Sequence, residues 1–128
     1  MSLQINKAIL TLLKANASIT ALAGNRLYPI VATHEDTLMP FIVFKRKSIV
    51  PSYSKDGHVA DACTVTITVL SKDYSESVTL LQAVRTTLED RRGEFAGIML
   101  TSCRVVAATE MCDGETYVQE LTFDIDTQ

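Results

Sequence analysis

Between Ala62 and Leu70 the chain switches side with every residue. Cys63, Val65, Ile67 and Val69 alternate with Thr64, Thr66, Thr68 and Leu70, the period-two pattern of a pleated strand. Most of these residues are β-branched, which suits a sheet and disfavours a helix. A polar joint, SKDYSES, follows, in which Asp73 or Ser75 can cap a helix. Leu80, Leu81, Val84 and Leu88 then recur at helical spacing, with Thr79, Gln82, Thr86 and Glu89 opposite and Val78 and Arg85 at one edge of the stripe. The unit predicts a strand and then a helix running to Asp90, closed by Arg91-Arg92-Gly93-Glu94, with Gly93 as the left-handed cap.

The rest of the pattern falls around this unit. Leu3, Ala8, Ile9, Leu12, Leu13, Ile19 and Leu22 predict a helix over residues 3–23. Asn16-Ala17-Ser18 breaks it, Ser18 caps the second piece, and Gly24 stops it. Residues 25–31 read as a short extended piece, held to a sheet edge by Pro29, which cannot donate to a ladder. After a polar loop, Pro40 opens a strand, FIVFKRKSIV, whose first residues are apolar on both faces: Phe41 and Val43 on one, Ile42 and Phe44 on the other. That suits a position between layers or between subunits. Asp56-Gly57 is a hairpin signal, so residues 41–70 form one long hairpin with an exposed polar tip. Residues 98–108 and 117–126 read as two more strands joined at Asp113-Gly114, the last with Leu121, Phe123 and Ile125 inward and Glu120, Thr122, Asp124 and Asp126 outward. The expected architecture is α+β: an antiparallel sheet of about five strands, two helices packed on one face, and a long protruding hairpin.

Size and charge narrow the function. A chain of 128 residues fits one domain, residues 1–128, with a substantial core. The net charge of −3 and the absence of Trp argue against a nucleic-acid binder, which carries a basic excess and stacking surfaces. No apolar run is long enough for a membrane span, and the N-terminus lacks a continuous apolar signal core, so a cytosolic chain is expected. Cys63, Cys103 and Cys112 are an odd set without a close pair, which reads as inert thiols on or near strands.

Chemistry is thinly supplied. His34-Glu35-Asp36 could bind a metal or work as acid and base, but a single His beside two acids also fits a solvated loop. His58 reads as a hairpin residue, and Glu110, Asp113 and Glu115 as a solvated turn. The five glycines are scattered, so no phosphate loop can be built. No catalytic, cofactor or metal site is assigned. The basic run Lys45-Arg46-Lys47 is divided by alternation, which sends Arg46 to the other face and leaves a solvated or interface strand end. Arg85 is either paired locally at the rim of the core or paired across a subunit boundary.

The stretch Ala21-Leu22-Ala23-Gly24-Asn25-Arg26-Leu27-Tyr28-Pro29, then Met39-Pro40-Phe41-Ile42-Val43-Phe44, then VTITVLSKDYSESVTLLQAVRTTLED, resembles the tail-completion family of tailed bacteriophages, also called head–tail joining or tail-terminator proteins. Gly24, Arg26, Tyr28, Pro29, Pro40, Tyr74 and Ser77 stand where that family's short motifs have them, and Leu27 departs mildly from a usual branched residue. The resemblance implies a virion structural protein without enzymatic activity or cofactor. It implies a homo-oligomer, a ring of about six closed by symmetry, that caps the tail tube and joins it to the head connector. DNA would only pass through that ring, no membrane would be involved, and assembly would take place in the host cytoplasm. The candidate interface residues are Phe41, Val43, Lys45, Arg46, Lys47, Tyr53, Lys55, Asp56 and Arg85. Competing readings are another virion part, such as a minor tail protein or head–tail adaptor, and a small ligand- or metal-binding enzyme using the His34–Asp36 loop.

Overall fold

A computed structural model describes residues 2–30 and 39–128. A 3-10 turn, Ser2–Gln4, leads into α1, Ile5–Ala15, and α2, Ala17–Ala23. Then come β1, Leu27–Pro29, β2, Phe41–Ser54, and β3, Gly57–Ser71. They are followed by α3, Tyr74–Leu88, β4, Gly93–Phe95, β5, Ile98–Asp113, and β6, Thr116–Thr127. The strands form one six-stranded sheet in the order β1-β2-β3-β6-β5-β4.

The α+β class is as the pattern implies, but the sheet is mixed and has six strands rather than five antiparallel ones. β1 runs parallel to β2, pairing Leu27 with Ile42 and Pro29 with Phe44. The reason is the connection: eleven residues, 30–40, separate β1 from β2, and only tight turns enforce antiparallel pairing. The sixth strand, β4, is three residues long and carries no usable periodicity. It folds back on β5 through Ala96 and Gly97, both at positive φ.

Among the described residues there are three α-helices rather than two, because the predicted break at residue 16 is complete. The cap is Asn16, not Ser18: its Oδ1 accepts from the amides of Ser18 and Ile19 at 2.8 and 3.2 Å. Its Nδ2 donates to Thr87 Oγ1, tying α2 to α3. Asp73 caps α3 by accepting from Ser75 N at 3.0 Å. The same helix ends at Leu88, with Glu89 as its C-cap, before the expected stop at Gly93; Asp90 takes the left-handed step at φ 61°, and Gly93 opens β4 instead.

All three helices cover one face of the sheet. α1 packs on β2 and β4, and α3 on β3, β5 and β6, while α2 contacts both α1 and α3. The buried cluster combines Ile5, Ile9, Leu12 and Leu13 of α1 with Leu80, Val84 and Leu88 of α3. From the strands it takes Ile42, Phe44, Val65, Ile67, Leu121, Phe123 and Ile125. Leu3, expected on the apolar face, is 65% exposed in the 3-10 turn, and Ile5 takes the inward position. Cys63 and Cys103 are buried, and Cys112 is exposed.

Candidate functional site

The register of the sheet sorts the predicted residues. Before Lys47 the odd positions of β2 point away from the helices: Phe41 pairs with Leu70, Val43 with Thr68 and Lys45 with Thr66. β6 continues this open face, setting Asp126 beside Ala62, Asp124 beside Thr64, Thr122 beside Thr66 and Glu120 beside Thr68. Thr64 Oγ1 donates to Asp124 Oδ1 at 3.2 Å and Thr68 Oγ1 to Glu120 Oε2 at 3.3 Å. β5 adds Arg104, beside Asp124. The open face is therefore a mosaic of threonines and balanced charge, with Glu120, Asp124 and Asp126 on β6, Arg104 on β5 and Lys45 and Lys47 on β2.

Val43, Lys45 and Lys47 come together on this face. They line a shallow concavity of about 270 Å³ with Ile30, Thr66, Thr68 and Glu120. Phe41 is buried near them, edge-on to Tyr28 at 6.0 Å between ring centres. Arg46 points the other way and donates to the Leu3 carbonyl at 2.8 Å, so the basic run is divided as its alternation implies. A bulge lies between Arg46 and Ser48 and moves Ile49 to the core side.

The β2–β3 hairpin extends past the end of β6, which pairs with β3 only from Asp61 onward. Its tip holds Tyr53, 70% exposed, with Lys55 and Asp56 in the turn. Asp56 N donates to Ser54 Oγ at 3.2 Å. Arg85 lies on the exposed side of α3 and is paired within its own helix: Nε and the second guanidinium nitrogen donate to the two Glu89 oxygens at 2.9 and 3.2 Å. The pair raises the Arg85 pKa and lowers that of Glu89. The His34-Glu35-Asp36 loop lies outside the described residues, and so does the side chain of His58. Among the described residues, no three His, Cys, Asp or Glu side chains are gathered where they could hold a metal. No described helix is long and apolar enough to cross a membrane.

A polar cluster escaped the sequence reading. Tyr74, at the start of α3, donates its hydroxyl to Glu110 Oε2 at 3.1 Å and packs edge-on against Tyr117 at 5.5 Å. The Glu110 bond raises the Tyr74 pKa. Gln119 Nε2 donates to the same Glu110 oxygen at 3.0 Å and reaches Ser77 Oγ at 3.4 Å. Ser77 Oγ in turn donates to the Tyr74 carbonyl at 2.7 Å. With Met111 and Cys112 these side chains surround a concavity of about 240 Å³. The signal was present in β6: Gln119 stands two positions before Leu121 on the inward face and is only 5% exposed. A polar side chain at a core position must find partners.

The motif positions are joints rather than chemistry. Gly24 turns the chain at φ 59°. Arg26 donates to the carbonyls of Pro40 and Leu22 at 2.9 and 3.0 Å, locking the end of α2 to the start of β2. Tyr28 packs on Phe41, and Tyr74 and Ser77 fasten α3 to the β5–β6 hairpin.

Comparison with known proteins adds three findings. The sequence profile of a family described as "Tail completion protein gp17" matches residues 7–128. No curated protein matches the chain. Among solved structures, the fold is similar to that of a chain in the "Virion of native gene transfer agent (GTA) particle", with a TM-score of 0.81 at 15% identity, covering 94% of this chain and 91% of that one.

Proposed function

The chain belongs to the tail completion protein gp17 family, and on that premise we propose that this phage tail structural protein caps the tail tube as one ring subunit and joins the tube to the head connector. The match of the family profile over residues 7–128 carries the reading. The geometry supports it: the motif residues act as joints, and the surface offers edges, a hairpin and a mixed polar face rather than a reactive constellation. The ring has about six copies, each a single domain of residues 1–128, and it closes by heterologous contacts. Assembly takes place in the host cytoplasm, and the finished ring stays in the virion.

The protruding tip, with Tyr53, Lys55 and Asp56, contacts a neighbouring subunit or the next ring, as exposed loops carried on a rigid scaffold commonly do. The test is joining in vitro. Tails lacking the protein are mixed with filled heads and either the wild type or a deletion of residues 52–58. The wild type restores joined particles. The deletion variant keeps the circular dichroism spectrum of the fold and does not join; normal joining by it would reject the role of the tip.

DNA passes through the ring without binding. The net charge of −3 supports this, because like charges repel phosphate. Replacing Glu120, Asp124 and Asp126 by their amides slows DNA ejection if these acids face the channel, and unchanged ejection removes them from it.

A further inference from the structure

β4 pairs with β5 only from Ile98 to Leu100, so beyond Leu100 the outer edge of β5 has no partner strand among the described residues. Irregularities at Leu100/Ser102 and Val105/Ala107 leave residues 107–113 as its regular stretch. All seven, Ala107-Ala108-Thr109-Glu110-Met111-Cys112-Asp113, are exposed, Met111 by 62%. Soluble proteins blunt such edges with Lys, Pro or bulges, because an open ladder recruits another strand. This stretch has no Lys, no Pro and no bulge. It is also held in place from behind, since Glu110 is bonded to Tyr74 and Gln119, which lowers the ordering cost of pairing.

We propose that residues 107–113 form the seam between subunits, pairing antiparallel with the lysine-bearing β2 edge of a second copy. The inference rests on the ring reading and names the contact that builds the ring. Strand sense is the first argument. β2, β3, β6 and β5 alternate in direction across the sheet, so β5 and β2 run oppositely. A neighbour set beside β5 in the same orientation presents β2 in antiparallel sense. β1 covers β2 only at Ile42–Phe44, and no described strand pairs with the outer edge beyond it.

Charge is the second argument. On the open face the β5 stretch carries Asp113, with Glu115 in its turn, and the β2 edge carries Lys45 and Lys47, while Glu110 faces the helix side. Pairing the stretch with itself about a two-fold axis would centre on Glu110 and set two like charges opposite each other, which is destabilising. The heterologous pairing avoids this and generates a ring. Ala107 lies level with Lys45 across one copy's sheet, through Thr122 and Thr66. The seam therefore staggers adjacent copies and tilts the strands to the ring axis, as closed sheets require. It also neutralises Lys45 and Lys47, leaving Glu120, Asp124 and Asp126 in excess over Arg104 on the open face.

The experiment uses full-length protein assembled on isolated tail tubes from an equal mixture of light and nitrogen-15 chains. A carbodiimide then couples lysines to carboxylates in contact. The expected products are light–heavy peptides joining Lys45 or Lys47 to Asp113 or Glu115. Amide exchange over residues 107–113 slows about tenfold or more in the ring, as expected for newly paired amides. Met111→Lys places a gatekeeping charge on the edge; it keeps the monomer's melting temperature and lowers ring yield about tenfold. Rings without those links and without protection at 107–113 overturn the seam and leave the ring reading standing. Full ring yield by Met111→Lys also overturns it, and failure to form any ring overturns both.

Discussion

The two faces of the sheet are built from the same strands and do different work. On the helix side, Val65, Ile67, Phe123 and Ile125 are fully buried. On the other side, Thr64, Thr66, Thr68 and Thr122 stand half-exposed among acids and lysines, with no described helix over them. The period of two lets one set of residues hold the fold and the other set remain free for assembly. In the proposed ring, a change on the open face alters what the protein joins without altering whether it folds.

Stability measurements can break this contrast. The largest effect is expected on the covered side. Phe123→Ala opens a cavity in the core and costs about 3–5 kcal/mol in urea unfolding. Thr66→Ala, on a neighbouring strand but on the open face, stays within about 0.5 kcal/mol of the wild type. Comparable losses for the two would end the division of labour.

Next comes the junction within the helix layer. Asn16→Ala removes the α2 cap and the bond to Thr87, for an expected loss of about 1–2 kcal/mol; Asn16→Asp keeps the cap and recovers most of it. Tyr74→Phe removes one hydroxyl bond to Glu110 at the solvent-facing cluster. The exposed bond adds little to overall stability, but hydrogen exchange at the β5–β6 turn speeds up. An unchanged exchange rate would show that α3 does not steady that hairpin.

The remaining effect is absent at neutral pH and appears only in alkali. Burial first, then Asp61, pushes the Cys63 thiol up to about 11, and burial pushes Cys103 to about 12, from an ordinary 9.0. The folded state holds these protons more tightly than the unfolded chain does. Their contribution is fully present below the ordinary value and is lost as pH rises through the folded ones. Unfolding free energy should fall from about pH 9 through pH 12, with a smaller slope in Cys103→Ala. At pH 8 an alkylating reagent should modify Cys112 alone in the native protein; rapid labelling of all three would contradict the burial.

The sequence reveals most of the covered side because burial imposes period. The alternation of residues 62–70 and 117–126 and the stripe of α3 are where the pattern puts them, and both hairpin turns fall one residue from their predicted pairs, at 55–56 and 114–115. The parallel pairing of β1 was not legible, since no local pattern encodes which strand a three-residue piece will join. β4 was too short to carry a period, and Asn16 was overlooked because Ser18 is an equally good cap by type. The candidate site was less legible still. Alternation separates Arg46 from Lys45 and Lys47, but the meeting of Tyr74, Glu110 and Gln119 depends on packing α3 against β5 and β6. The free β5 edge follows from strand order, which period does not determine.

The most direct test of the central claim is electron microscopy of isolated tail tubes mixed with the purified protein. The account predicts ring-shaped density at one end of each tube, with the open faces of the subunits turned to a continuous channel. Bare tube ends, or density spread along the tube wall, would contradict it.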